Sequence, residues 1–551
     1  MKKITLTLLI IATTNLNAQN YNFNKIDSLF SELNTTKEPG AAVAVFKNGE
    51  IVYSKGFGMA NLKEKISINR KSKFRIGSTS KQFTAACILI LIEQGKIKYT
   101  DKLNQFFHSF PNYASTITIR HLLHHTSGIR DYPTIALLKG LYNNEIYTDD
   151  MIMDWLTRQK QLNFKPGEEF MYSNSNYWLL GQIVENVSGK NLADFANEHL
   201  FKPLQMDNSH FHNNNKYDFK NRVIGYSTNN SQNFTKNNIQ LEIIGDGGLY
   251  TTILDLAKWD NVFYKKNNVN NLVLEELIRK GKLNDGSEIN YGGGLFISNY
   301  KGLKAISHSG VVEGFKSQLL RFIDEKLSIV VLANRDDINA VEKAKQIADI
   351  LLADKLIQPK QELVKSKLDK VEIPLENILL KQAVGYYEIQ PAVGFKIMIE
   401  NDSLKVLQTW NNIKYPIVRL NKNQFQHPND SAVTYIFTNI KNNVPTNIVL
   451  AQSGAQPVFI RKDLPILSNA QINNYVGKFY SDELDEIFEI YKNENNLKVK
   501  IRNNKPISLH LVGNNKFSYL ISTITFFTNE DEITHFQLNS GRVKNIKFIK
   551  V

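Results

Sequence analysis

Phe74-Arg75-Ile76-Gly77-Ser78-Thr79-Ser80-Lys81-Gln82-Phe83-Thr84 reads as an extended lead-in turning into an apolar helix, continued by Ala85–Glu93 and stopped at Gly95. Ser78 stands in the first turn. A serine three residues before a lysine puts both side chains on one helical face, one turn apart. Burial would disfavour the Lys81 ammonium and leave an amine able to accept the serine proton. The N–H groups at a helix start could then stabilise an oxyanion. Ser-x-x-Lys alone also describes an N-cap serine with a surface lysine, so the reading depends on what else the chain carries.

Two further stretches supply that context. Phe164-Lys165-Pro166-Gly167 leads through Glu168–Met171 to Tyr172-Ser173-Asn174, a loop running straight into a helix that begins Ser175-Asn176-Tyr177-Trp178. A tyrosine beside a cationic lysine can act as a base, and an asparagine amide can orient a substrate carbonyl. Ile306-Ser307-His308-Ser309-Gly310 then precedes Val311-Val312-Glu313-Gly314-Phe315, a strand edge whose glycine allows close backbone approach to a ligand.

In order and spacing these three elements resemble those of the serine β-lactamase and penicillin-binding-protein superfamily. The branch most similar holds class C β-lactamases, D,D-peptidases and esterases, because the second element is Tyr-x-Asn. His121-Leu-Leu-His-His-Thr-Ser-Gly128, Pro203-Leu-Gln-Met206, Gly247-Gly248-Leu249 and Asp255-Leu256-Ala257 extend the likeness over about residues 25–356. The resemblance implies Ser78 as acylated nucleophile, Lys81 as its proton partner and Tyr172 as general base or proton relay. Asn174 would touch the substrate amide, and the N–H groups of Ser78 and Val311, beside Gly310, would form the oxyanion hole. His308 stands where many relatives carry the lysine of Lys-Thr-Gly. A histidine is half-charged near pH 6.5, so it would hold a substrate carboxylate only in part of the pH range.

Working outward, Gly40–Phe46 and Ile51–Tyr53 flank an Asn48-Gly49 turn, a hairpin signature. Phe315–Phe322 and Leu327–Ala333 flank Asp324-Glu325-Lys326, and Val341–Lys355 then repeats apolar residues at helical spacing. These predict an α+β fold: one antiparallel sheet flanked by helices, with an inserted helical region at about 78–285. From Leu356 the texture changes to short β-type runs and Asn-rich turns, and the tail repeats itself. Val384-Gly385-Tyr386-Tyr387 matches Val476-Gly477-Lys478-Phe479, and Asn401–Val406 matches Glu494–Val499. Asn423-Gln424-Phe425 parallels Asn515-Lys516-Phe517, Phe437-Thr438-Asn439 parallels Phe527-Thr528-Asn529, and Gln452-Ser453-Gly454 parallels Asn539-Ser540-Gly541. Two small all-β barrel-like domains follow, of a kind that closes to remove its edges, resembling the appendages of some D-aminopeptidases. The expected division is a signal peptide at 1–18, a catalytic domain at 19–356, a linker at 357–374, and barrels at 375–463 and 464–551.

Composition narrows the rest. A chain of 551 residues has room for about three or four domains. Its single cysteine, Cys87, excludes an internal disulfide, and no Cys/His spacing suggests zinc. His121, His124 and His125 have helical spacing, but no carboxylate completes a His-Glu-x-x-His pattern, and no phosphate loop follows Gly292-Gly293-Gly294. No cofactor or metal is expected. The formal charge of +14 is spread without blocks or a nucleic-acid module, which argues against a nucleic-acid partner. Lys2-Lys3, the apolar Ile4–Ala12 and Ala18 read as a secretory leader too short to span a bilayer, placing a mature chain without a membrane segment in the periplasm or outside the cell. The expected activity is hydrolysis of amides or esters in D-amino-acid peptides of cell-wall type, with peptidoglycan fragments among the partners. The alternatives are a wall-fragment binding protein that acylates with little turnover and a β-lactamase.

Overall fold

Asn48 and Gly49 both take positive φ, 52° and 75°, as a two-residue hairpin turn requires. They join β1 (Ala41–Lys47) to β2 (Glu50–Phe57). This computed structural model describes residues 22–141, 145–228, 233–237, 241–265, 271–357, 380–452, 456–465, 467–494, 496–530 and 532–551. The expected leader lies outside them, as does the expected linker apart from Ile357.

Four later strands complete the sheet: β3 (Phe296–Tyr300), β4 (Leu303–Val312), β5 (Phe315–Phe322) and β6 (Leu327–Ala333). Their order is β3-β4-β5-β6-β1-β2, antiparallel throughout, so both ends of the catalytic segment meet at β6–β1. Ala41 pairs with Ala333 and Lys47 with Leu327. Alternation along β1 divides its side chains between two cores. Val43 and Val45 face α1 (Phe23–Leu29) and the C-terminal helix Ala340–Leu351; Ala42, Ala44 and Phe46 face the inserted helical region.

At the centre of that region is α2 (Lys81–Glu93), with ten of its thirteen residues buried, as an all-round apolar helix must be. Gly294, at φ 75°, is the member of the triple glycine that meets this helix: a Cβ there would stand 2.5 Å from the Gln82 nitrogen, so the glycine lets the chain lie against α2. The mixed α and β architecture agrees with the expectation from sequence. Among the described residues no helix is long and apolar enough to cross a membrane.

Both tail units are all-β, each preceded by a short helix, Leu380–Ala383 and Asn469–Asn474. The second is a closed eight-stranded barrel, sealed where Phe479 and Tyr480 pair with Lys550 and Ile549. The first is a nine-stranded sheet whose terminal strands, Lys414–Pro416 and Val418–Arg419, are separated only by Ile417. It therefore curls until its ends nearly meet. Pro416 has no N–H to give to a ladder, which accounts for a break where the second unit runs one continuous strand, Ile507–Gly513.

Candidate active site

Gly77 opens the site at φ 51°, and a Cβ there would come 3.0 Å from the Val311 nitrogen. The absence of a side chain thus brings the Ser78 turn against the edge of β4. Gly77–Ser80 is a 3₁₀ turn leading into α2, tighter than the α-helical start expected from sequence. Ser80 Oγ donates back to the Gly77 carbonyl at 2.6 Å and accepts the Leu249 N–H at 3.2 Å, fixing the turn from behind. Lys81 is fully buried. Its Nζ lies 3.2 Å from Ser78 Oγ, 2.8 Å from Asn174 Oδ1 and 2.6 Å from the Asp246 carbonyl, so each N–H of an ammonium finds an acceptor.

The second element converges on the same lysine. Asn174 begins the helix Asn174–Ser188, and its N–H donates to Asp131 Oδ1 at 2.6 Å. The Tyr172 ring centre lies 4.9 Å from Lys81 Nζ and 4.4 Å from the His125 ring, and the Tyr172 hydroxyl is buried with no hydrogen-bond partner among the described residues. His125 Nδ1 accepts the Ser173 N–H at 3.2 Å, and burial keeps its imidazole well below the usual value. The helix around His121 ends at Leu123, and His125 adopts a φ of 57°, so the three histidines do not share one helical face.

At the strand edge, Thr79 Oγ1 donates to the His308 carbonyl at 3.2 Å, and Ser317 Oγ donates to the Ile76 carbonyl at 2.7 Å. The close approach that Gly310 permits is to the protein itself: a Cβ there would stand 1.9 Å from the Ile76 oxygen. His308 Nδ1 donates to the Ser309 carbonyl at 2.7 Å, and Nε2 lies 3.3 Å from the Tyr291 hydroxyl. Burial, with the Lys81 charge adding to it, pushes this imidazole down to about 3. The half-charged histidine expected near pH 6.5 is therefore a neutral one. Val311, 66% exposed, borders a cleft of about 470 Å³ together with Ser78, Asn174, Tyr132, Asp246 and Glu313.

Sequence reasoning missed several residues around this cleft. Tyr132 donates to Asp246 Oδ2 at 2.9 Å, and burial raises the Asp246 carboxyl above its ordinary value. Asp131 and Tyr132 lie three and four residues beyond the end of the His121–Gly128 stretch, and Asp246 precedes Gly247-Gly248, so proximity to quoted stretches was the available signal. Arg542 of the second barrel, whose guanidinium lies 4.7 Å from the Tyr172 ring centre, directly follows the quoted repeat Asn539-Ser540-Gly541, but nothing in that repeat points to the active site.

A Ser-x-x-Lys turn, a Tyr-Ser-Asn loop and a strand edge meeting at one cleft define a class of protein. The model of the Beta-lactamase family matches residues 26–353, more than half of the chain, and the chain belongs to that family. It is 29% identical over 398 residues to Penicillin-binding protein 4* of Bacillus subtilis (strain 168), covering 69% of this chain and 86% of that protein. It is also 29% identical over 303 residues to the D-aminopeptidase of Brucella canis, covering 54% of this chain but only 57% of that relative. Among solved structures, the octameric penicillin-binding protein homologue from Pyrococcus abyssi shares the fold at a TM-score of 0.57 and 22% identity, over 88% of this chain and 99% of that one. The penicillin binding protein from Bacillus halodurans superposes at a TM-score of 0.51 with 26% identity, over 60% of this chain and 99% of that one.

Proposed function

We propose that the chain is an exported serine hydrolase that forms an acyl-enzyme on Ser78. Its substrates are amides or esters, foremost D-amino-acid peptides of cell-wall type. Ser78 Oγ attacks the carbonyl carbon while its proton passes to Tyr172, the base or relay, beside Lys81. The N–H groups of Ser78 and Val311 receive the oxyanion, and Asn174 orients the substrate amide. Tyr172 returns the proton to the leaving amine or alcohol, and water then releases the acyl group. His308 and Gly310 shape the strand edge. A neutral His308 contributes form and a hydrogen-bonding ring, without charge. Residues 19–356 form the catalytic unit, joined through 357–374 to barrels at 375–463 and 464–551.

The observation that carries this reading is Lys81, whose buried Nζ lies 3.2 Å from Ser78 Oγ and faces the Tyr172 ring. A surface lysine after an N-cap serine would be solvated. Membership in the family and the names of the two curated relatives support the substrate class.

Intact-mass spectrometry with penicillin and a nitrophenyl ester tests the reading. The expected result is a transient adduct that Ser78→Ala abolishes, with ester turnover falling roughly 10³-fold or more. An adduct that survives Ser78→Ala sinks the assignment. One that forms on Ser78 and persists with both reagents makes the protein a wall-fragment binder.

A further inference from the structure

Arg542 sits in the turn between the Glu532–Ser540 and Val543–Lys550 strands of the second barrel. That turn reaches the active site. The guanidinium lies 4.7 Å from the centre of the Tyr172 ring, and its Nη1 is 3.8 Å from Asp131 Oδ2. Main-chain contacts hold the turn in place. The Arg542 carbonyl accepts from Asn163 Nδ2 at 2.9 Å, Asn163 Oδ1 accepts the Lys544 N–H at 2.8 Å, and Arg130 Nη2 donates to the Lys544 carbonyl at 2.8 Å. The position of the guanidinium is thus set by backbone anchors on both sides of it.

The other groups facing Tyr172 show why this charge matters. His125 and His308, with ring centres 4.4 and 5.9 Å away, are both held neutral by burial. Tyr291 is buried and keeps its proton, and Phe296 is apolar. Asp131 brings negative charge, which Arg542 itself faces; Glu169 on the same loop pairs with Lys544 at 3.1 Å. Lys81 supplies positive charge with Nζ 4.9 Å from the ring centre. The residue of strand β4 that faces the ring, His308, supplies none. A cation over a tyrosine ring stabilises the negative charge that a phenolate spreads into that ring.

We propose that Arg542 is a positioning residue of the active site, by which the second barrel supplies a second positive charge facing Tyr172, beside that of Lys81, and steadies Tyr172 in the form that accepts the serine proton. The proposal rests on the reading of Tyr172 as base or relay. It makes the barrel part of the catalytic apparatus, although the barrel contributes no group that touches the reacting atoms.

The test is the pH profile of kcat/KM for a neutral nitrophenyl ester, measured on the full chain between about pH 5 and 10, a range bracketing imidazole and phenol titration. Arg542→Gln should move the acidic limb upward by about one pH unit, a loss of about tenfold below the limb that disappears above it. Arg542→Lys should retain most of the wild-type profile. An equal loss at every pH, or an unmoved profile, overturns the proposal, because a merely structural turn has no reason to spare activity at high pH. Tyr172→Phe is measured alongside. If it is inactive while Arg542→Gln leaves the limb in place, the proposal alone fails. If Tyr172→Phe keeps full turnover, the base reading fails and takes the proposal with it.

Discussion

The two barrels are copies of one unit used differently. The core of the first, with Tyr387, Phe395, Phe425 and Phe437, is separate from the rest of the molecule. That of the second, with Phe479, Phe517, Phe536 and Phe548, is continuous with the helical core around α2. The difference lies in the turns. Where the first copy links its opening strands through Pro391-Ala392, the second inserts Asp482–Asp485, and Glu483 Oε1 accepts from buried Arg130 Nη1 at 2.6 Å. Lys139 pairs with Glu486 at 3.2 Å, and Asn504 Nδ2 donates to the Gly140 carbonyl at 2.8 Å. The repeated Ser-Gly is followed by Ala455 in the first copy and Arg542 in the second. Strand pattern makes a barrel; turn residues decide what it attaches to.

The largest break in this contrast should come from Glu483→Ala. It leaves the Arg130 guanidinium, fully buried, without its carboxylate, an imbalance that costs about 3–5 kcal/mol. Because Arg130 also holds the Lys544 carbonyl, ester turnover should fall together with the unfolding midpoint in guanidinium chloride. A variant that loses neither shows the second barrel to be as detached as the first.

Phe437→Ala probes the opposite side. Truncating this fully buried ring in the first barrel should cost about 3–5 kcal/mol locally, seen as a separate early transition in calorimetry. Ester kcat/KM should not change. Phe536→Ala in the second barrel should instead lower the transition of the catalytic body, since the two share one core.

The parts that sequence revealed are those with local causes. Ser78 and Lys81 lie one turn apart, Asn48-Gly49 chooses its own turn, and the tail repeat is a matter of matching residues in order. The docking of the second barrel has no such cause: Arg130, Glu483 and Arg542 meet only after folding, and charges in polar turns read as solvated. The same holds for His308, whose ordinary value is a property of the residue but whose depression comes from burial beside Tyr291 and Lys81. Ser80 bonding back to Gly77 tightened the helix start beyond what spacing alone implies. Pro416 was visible, but the break it makes in the first barrel depends on which strands it would have had to pair.

Acid should separate the regions as well. His121, His124, His210 and His212 are depressed to about 4 and His308 to about 3, all by burial and all in the catalytic body. A histidine whose folded value lies below its unfolded 6.5 binds more protons when unfolded, so its contribution to stability is present above 6.5 and is lost as pH falls toward the folded value. The slope is about 1.4 kcal/mol per unit for each such group. Between about pH 6.5 and 4 the transition of the catalytic body and second barrel should therefore move down relative to that of the first barrel. Transitions that fall in parallel would contradict this.

The smallest effect sharpens the contrast within a single turn. Lys544 stands two residues from Arg542 and carries the same charge, but its Nζ pairs with Glu169 at 3.1 Å and lies 5.9 Å from the Phe164 ring centre. The pair is partly exposed, 35% and 52%, which places its worth at about 0.2–1 kcal/mol. The anchors that Lys544 gives Arg130 and Asn163 come from its backbone, so Lys544→Gln keeps them. This variant should shift the unfolding midpoint slightly and leave the acidic limb of ester hydrolysis unmoved, while Arg542→Gln moves it. A limb that shifts equally in both variants would mean that the catalytic cleft responds to the net charge of the barrel, and not to one guanidinium set against one ring.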